Sequence, residues 1–226
     1  MSVVIEIWSD VVCPWCYIGK VRFDRALSAL TTGPDAVSEP IEVVYRAYQL
    51  DPTAPIGTSN PVRDTYAKKF GGYERADHII ENLTATARAD EIEFRMDIAK
   101  RANTLLAHRV LWWTGATHGG EVQARVKAAF LDAYFTRGLD VADADVLATL
   151  AAEVIGCDTS VVSDVLSSDI GRGEVSEELA MAIGHGITGV PTYVIDGAWA
   201  IPGAQDTETF ERVIRRAIER RTPETN

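Results

Sequence analysis

Cys13 and Cys16 stand three positions apart in the stretch WSDVVCPWCYIGK, Trp8 to Lys20. Two thiols at that spacing can make and break a disulfide: one attacks as a thiolate, and the other reaches back to resolve the mixed disulfide. The pair follows a short apolar run and precedes residues with helical spacing, so Cys13 is expected in the first turn of a helix. Unsatisfied backbone N–H groups and the positive end of the macrodipole favour a thiolate there. Its pKa is therefore expected below the free value of about 8.5. Cys16 is expected to face nearly the same way and to be more covered. Pro14 suits a first turn, where its missing N–H is no loss. Trp15 would shield one side of the pair and offer an apolar surface to a substrate. The competing use of such a pair is half a zinc site. Structural zinc takes about four ligands, and neither a second pair nor suitably spaced histidines are present among His78, His108, His118 and His185. No metal and no organic cofactor is expected. Cys157, in IGCDTS, reads as a small residue at a helix boundary with no redox role.

A second constellation, ITGVPTYVI, places Pro191 just before a strand, where an interior proline is normally excluded. A cis Val190–Pro191 bond in a tight turn, facing the helix start at Cys13, would resolve that conflict. The backbone groups of Val190 would then be free to pair with an extended substrate.

The elements that must bring the two together follow from the pattern. SVVIEIW is a first strand. Phe23, Ala26, Leu27 and Leu30 give the helix after the cysteines its apolar face, and Gly33-Pro34 should end it. Residues 41–50 read as a buried parallel strand. The loop DPTAPIGTSNP leads into a long helical stretch from Pro61 to about Gly186, with Asn60 as first cap and Asn103 and Asp143 as later ones. Residues 176–186 form its last helix. The chain then returns to period two in ITGVPTYVIDGAWAIPG, two strands joined by an Asp196-Gly197 hairpin turn. An amphipathic helix and a frayed tail, RTPETN, close it. The order β-α-β, a helical block, then α-β-β-α is that of an α/β thioredoxin fold (β-α-β-α-β-β-α) with a large insertion. Residues 1–60 and 171–226 are assigned to the thioredoxin-like domain and 61–170 to the inserted helical domain.

Composition excludes some functions. The 226 residues carry a net charge of −11, with 33 acidic against 22 basic side chains. Such a surface repels a phosphate backbone, so nucleic acid is not an expected partner. No stretch is long and apolar enough to span a membrane, and the N-terminus lacks the features of a signal peptide. The expected compartment is the cytoplasm, where three cysteines do not make a disulfide framework. Oligomeric state is left open.

Four segments, SDVVCPWCYIGK, NTLLAHR (103–109), GVP (189–191) and GAQ (203–205), together resemble the DsbA family of thioredoxin-fold oxidoreductases, and within it the FrnE-like branch. The resemblance spans nearly the whole chain. It implies thiol–disulfide exchange with protein or small-molecule disulfides and thiols, Cys13 as nucleophile, Cys16 as resolving cysteine and Pro191 as the cis-proline. DsbA itself has a histidine between its cysteines, where this chain has Trp15; without that cation the protein should be a weaker oxidant. DsbA also has a buried glutamate six residues before its first cysteine. Here Glu6 lies seven before, as either a proton relay to Cys16 or an outward, solvated strand residue. Asn103, His108 and Arg109 match a segment shared with the kappa glutathione transferases and 2-hydroxychromene-2-carboxylate isomerases. That likeness keeps glutathione as a possible ligand and makes Asn103 a possible cleft residue. The alternative, an N-cap Asn103 with His108 as a satisfied packing residue, is preferred on helix-capping grounds. Trp112-Trp113 read as core, and Gly203-Ala204-Gln205 as the turn into the last helix.

Overall fold

A computed structural model describes residues 2–32, 35–55 and 60–221. The expected helix stop at Gly33-Pro34, the middle of the 51–61 loop and residues 222–226 of the tail lie outside the described residues. The chain runs β1 (Val3–Ser9), α1 (Pro14–Thr32), β2 (Ile41–Ala47), α2 (Val62–Phe70), α3 (Tyr73–Ala89), α4 (Leu105–His118), α5 (Gly120–Phe135), α6 (Ala144–Ile155), α7 (Thr159–Ser167), α8 (Arg172–Gly184), β3 (Thr192–Ile195), β4 (Trp199–Pro202) and α9 (Thr207–Arg221). The four strands form one sheet in the order β2-β1-β3-β4. β1 pairs parallel with β2 and antiparallel with β3, which pairs antiparallel with β4. This is the α/β thioredoxin-like fold, with helices inserted between β2 and β3.

Period-two alternation sends Val3, Ile5 and Ile7 to one face of the sheet, where they pack with Phe23 and Leu30 of α1 and Phe210 and Ile214 of α9. Trp8 and Val194 point to the other face and meet Ala182 of α8. A larger cluster joins Val11 and Ile18, which flank the cysteine segment, to Val110 and Leu111 of α4, Val126 and Phe130 of α5 and Leu147 of α6. The inserted helices therefore share a core with the segment that carries the cysteines. The hairpin turn has the positive φ at both central residues that a type I′ turn requires, 50° at Asp196 and 67° at Gly197.

Edge strand β2 is covered by side chains rather than by another strand. Gln123 of α5 accepts from the Tyr45 N–H at 2.9 Å and donates to the Tyr45 carbonyl at 3.0 Å. Glu178 of α8 accepts from the Ala47 N–H at 2.8 Å. α5 can come this close because a Cβ at Gly120 would overlap the Val43 carbonyl oxygen.

Several boundaries differ from expectation. The second strand stops at Ala47, because the Leu50 N–H is taken by the Asp10 carboxylate instead of a ladder partner. Pro61, not Asn60, is the cap of α2, since the chain around it pairs with residues 99–101: Val62 donates to the Ala99 carbonyl and Arg101 to that of Asn60. Asp143 caps α6 as expected, its carboxylate accepting from Asp145 and Val146 N–H. The last helix before β3 starts at Arg172 rather than 176, after a left-handed Gly171 with φ 76°. Residues 91–104, within the stretch read as helical, hold no helix. Ile92, Phe94 and Met96 alternate at period two and insert singly into the core.

Candidate functional site

β1 ends at Ser9, and Asp10 turns the chain into α1. The Cys13 N–H donates to the Asp10 carbonyl, and the Cys13 carbonyl in turn accepts from Cys16 at 3.0 Å and Tyr17 at 3.3 Å. Pro14 opens the helix. Cys13 and Cys16 are both free thiols and both buried, whereas Trp15 between them is 43% exposed. The turn before β3 faces them from 177 residues away. Cys13 Sγ lies 3.5 Å from the Val190 carbonyl oxygen, and the Val190–Pro191 peptide bond is cis. Thr192 Oγ1 donates to the Gly189 carbonyl and the Gly203 N–H to that of Pro191, which pins the turn on both sides. Gly19 explains how α1 packs against it. A Cβ there would meet the Tyr193 hydroxyl at 2.7 Å and the Pro191 ring at 3.1 Å.

The electrostatics reverse one expectation. Cys13 does not carry the lowered pKa. Hydrogen bonding to Cys16, burial and the charge on Cys16 push the Cys13 thiol well up. Burial also pushes Cys16 up, but the hydrogen bond from Cys13, the positive charge of Lys127, and hydrogen bonds from Ser9 and the backbone at Asp10 outweigh it and leave Cys16 below the ordinary thiol value. The two thiols titrate as a coupled pair, and the groups around them favour charge on the inner sulfur. The helix terminus acts on the pair as a unit, and the neighbouring side chains decide which sulfur holds the charge.

Behind the cysteines lies a set of buried ionisable groups, Asp10, His108 and Lys127, of which sequence patterns single out only His108, as a satisfied packing residue. Asp10 is fully buried and accepts from the Val11 N–H at 2.8 Å, the Leu50 N–H at 2.8 Å and His108 Nε2 at 3.2 Å. The same His108 nitrogen is 3.0 Å from the Tyr48 carbonyl oxygen; with two acceptors facing it, that nitrogen bears the hydrogen. Burial raises the Asp10 pKa, but His108, the Leu50 N–H and Lys127 together hold it below the ordinary carboxylate value. Lys127 of α5 is 1% exposed, and its Nζ donates to the Ser9 carbonyl at 3.2 Å. The sequence does carry a signal for it. Residues 123, 126, 127, 130, 131 and 134 form one buried stripe on α5, and two of the six, Gln123 and Lys127, are polar.

The remaining expected residues are placed as follows. Glu6 is neither a relay to Cys16 nor simply solvated: it pairs with Arg46 at 2.7 Å, and Arg46 also reaches Glu178 at 2.9 Å. Asn103 precedes α4; its Oδ1 accepts from the Leu105 N–H and its Nδ2 donates to the Ala54 carbonyl, so its side chain ties helix to loop. Arg109 is buried away from the cysteines and donates to the carbonyls of Val165, Leu166, Ser168 and Ile170 around the end of α7. Trp113 is buried. Beside the cysteine segment, Val12, Pro14, Leu50, Tyr66 and Phe70 line a groove of about 340 Å³, with Lys69 and Arg101 among its walls. Arg101 is held by Asp51 at 2.7 Å. Among the described residues no three His, Cys, Asp or Glu side chains converge to hold a metal, and no helix is long and apolar enough to cross a membrane.

The sequence profile of the DSBA-like thioredoxin domain family matches residues 4–215. The uncharacterized protein YwbO of Bacillus subtilis is 30% identical over 216 residues, 95% of this chain and 96% of its own length. A probable DsbA oxidoreductase of Streptomyces coelicolor is 32% identical, with a TM-score of 0.84 over 99% of this chain and 93% of that one. The cytosolic disulfide reductase DsbM of Pseudomonas aeruginosa, solved with GSH, shares the fold at 17% identity, with a TM-score of 0.66 over 96% of this chain and 99% of that one.

Proposed function

We propose that this chain, which belongs to the DSBA-like thioredoxin domain family, exchanges thiols and disulfides through Cys13 and Cys16 and falls in the FrnE-like branch. The single observation that carries the reading is the convergence of Cys13 Sγ on the Val190 carbonyl at 3.5 Å, with a second free cysteine one helical turn behind it. Cys13, at the outer end of the pair, is the nucleophile. As it attacks a substrate disulfide its proton passes to the Cys16 thiolate, one substrate sulfur leaves as a thiolate, and the other stays bonded to Cys13. Cys16 then loses its proton and attacks Cys13 Sγ. The Cys13–Cys16 bond forms, the substrate bond breaks, and two electrons have moved from the protein to the substrate. The reverse sequence oxidises a substrate dithiol by the same steps.

Val190, Pro14 and Trp15 are assigned to substrate contact, and Pro191 to shaping the turn that faces Cys13. Residues 61–170, as an inserted helical domain, would cover one side of the cleft. The groove beside Pro14 suits an apolar side chain, with Lys69 at hand for an acidic group. Substrates are protein or small-molecule disulfides and thiols, and the compartment assigned is the cytoplasm.

The test is reduction of insulin coupled to dithiothreitol. Cys13→Ser should abolish it, and Cys16→Ser should accumulate mixed disulfides; full activity after Cys13→Ser removes the reading. The same groove also favours a second reading, a glutathione-dependent transferase or isomerase, because Lys69 shares its lining with Val12 and Pro14, the two neighbours of Cys13 in the chain, and could meet a carboxylate of an anionic tripeptide thiol. Tight glutathione binding with turnover indifferent to Cys16→Ser would select it.

A further inference from the structure

The turn at Gly203-Ala204-Gln205 leads into α9 and also reaches the cysteine site from behind. Its Gly203 N–H donates to the Pro191 carbonyl at 2.8 Å, and its Ala204 carbonyl accepts from Arg22 Nη1 of α1 at 3.1 Å. Arg22 is held in turn by Asp90, which ends α3 in the inserted helices, through Nε at 2.9 Å and Nη2 at 2.8 Å. We infer that Arg22 is a positioning residue for exchange: fixed by Asp90, it holds the 203–205 turn, and through it the Pro191 turn, where an extended substrate chain pairs with Val190. This rests on the exchange reading above.

Arg22 is engaged at both ends. Its backbone carbonyl accepts from Thr207 Oγ1 at 3.3 Å, at the start of α9, while its guanidinium bridges the Asp90 carboxylate and the Ala204 carbonyl. A planar fork donating in two directions fixes an angle as well as a distance. α1 also abuts both turns closely: a Cβ at Gly19 would lie 3.1 Å from the Pro191 ring and 3.2 Å from the Ala204 Cβ. Asp90 is buried and held in its own right. Arg25 donates to its second carboxylate oxygen at 3.3 Å and to its carbonyl at 3.0 Å. The chain leaves α3 through Glu91 at φ 64°, a left-handed position that favours glycine. The Glu91 carboxylate accepts from Arg25 at 3.0 Å, so the side chain kept there joins the same cluster.

The Pro191 turn has few other ties. Among the described residues, the Gly189 carbonyl is bonded from within the turn by Thr192, the Val190 carbonyl by Cys13 Sγ, and the Pro191 carbonyl by Gly203. Once Cys13 carries a substrate sulfur it has no hydrogen left for Val190. The Gly203 bond then ties residues 189–191 to the rest of the molecule at the moment the substrate chain lies against them. Whatever steadies Gly203 steadies that chain, and Arg22 grips the next residue.

The test compares two disulfides with one leaving group. The first is 5,5′-dithiobis(2-nitrobenzoate); the second is an extended peptide whose central cysteine is carried as its mixed disulfide with 2-nitro-5-thiobenzoate. Attack by Cys13 releases the same chromophore from each, but only the peptide offers a backbone to Val190. In Arg22→Gln the rate constant for the peptide, relative to that for the small disulfide, should fall about fivefold, the worth of roughly one hydrogen bond. Arg25→Gln removes bonds to Asp90 and Glu91 without touching Ala204, and should move that ratio by less than about twofold. A merely structural role would lower thermal stability in both variants and leave the ratio alone. An unchanged ratio in folded Arg22→Gln, or an equal fall in Arg25→Gln, overturns the inference and leaves the exchange reading intact. Should Arg22→Gln not fold, Asp90→Asn, isosteric and uncharged, decides: a fall in the ratio supports the inference and an unchanged ratio overturns it. Wild type that releases chromophore from neither disulfide overturns the exchange reading. Hydrogen exchange of the Gly203 amide then reads the contact alone, faster in Arg22→Gln than in Arg25→Gln if Arg22 steadies the turn, and equal rates overturn that.

Discussion

His108 and Arg109 are neighbours on α4, both buried, and they serve opposite sides of the helix. His108 faces Asp10, whose other neighbours include Lys127 and the cysteines, a set of groups that can all gain or lose a proton. Arg109 faces four backbone carbonyls at the end of α7, none of which can. A helix turns about 100° per residue, so adjacent positions reach separate environments. The difference separates two uses of buried charge. Where every partner is a fixed dipole, the charge is a fastener; where the partners titrate, the charge can move.

Substitutions can break this contrast. The largest effect is expected at Arg109→Met, which strands the carbonyls at 166, 168 and 170. Each buried polar group left unpaired costs about 1–3 kcal/mol, so a loss of about 4 kcal/mol or more should appear in urea unfolding. The 240 nm titration of the cysteines should stay where it is, and a shift there would erase the distinction between the two residues. Asp10→Asn comes next, at about 2–3 kcal/mol, because one amide cannot accept from His108 and two N–H groups as a carboxylate does. It should also change the response to acid. The folded pKa of Asp10 lies below its unfolded value, so the unfolded chain binds more protons, and the stabilisation present above about pH 4 is lost as pH falls through the folded pKa. Unfolding midpoints measured from pH 7 down to 3 should fall less steeply in Asp10→Asn than in wild type. Gln123→Ala tests a buried polar group that carries no charge. It frees both backbone groups of Tyr45 and should cost about 2 kcal/mol with little pH dependence. The smallest effect is Asp143→Ala, a surface cap worth about 1 kcal/mol, read as a modest drop in thermal midpoint.

The legible part of this protein was whatever repeats locally. Alternation in SVVIEIW, the apolar spacing after Cys16, the Asp196-Gly197 pair and the Asp143 cap each express a short-range rule, and together they yield the element order. The cysteine pair and the Val190-Pro191 turn were legible because their residue types are unusual for their settings. Residues 91–104 lie between two expected helices in a stretch read only broadly as helical, and their period-two apolar run is too short to stand out against its neighbours. That Asp10, His108 and Lys127 meet behind the cysteines was not legible, since they come from three elements and are joined only through packing. Lys127 could have been suspected from its place in the buried stripe of α5. The pKa order within the pair could not, because the helix terminus speaks for Cys13 whereas Lys127, more than a hundred residues away in the chain, speaks for Cys16.

The Gln123 and Glu178 seal on β2 bears on how copies of this protein meet. An uncovered border strand is a template on which a foreign strand can zip. Here the outward N–H groups of Tyr45 and Ala47 are already spoken for by an amide and a carboxylate, so a newcomer would have to evict both. The opposite border, β4, finishes in Pro202, which has no N–H to offer. Continuous-sheet assembly is thereby disfavoured at each margin, and self-association would have to proceed through helical surfaces.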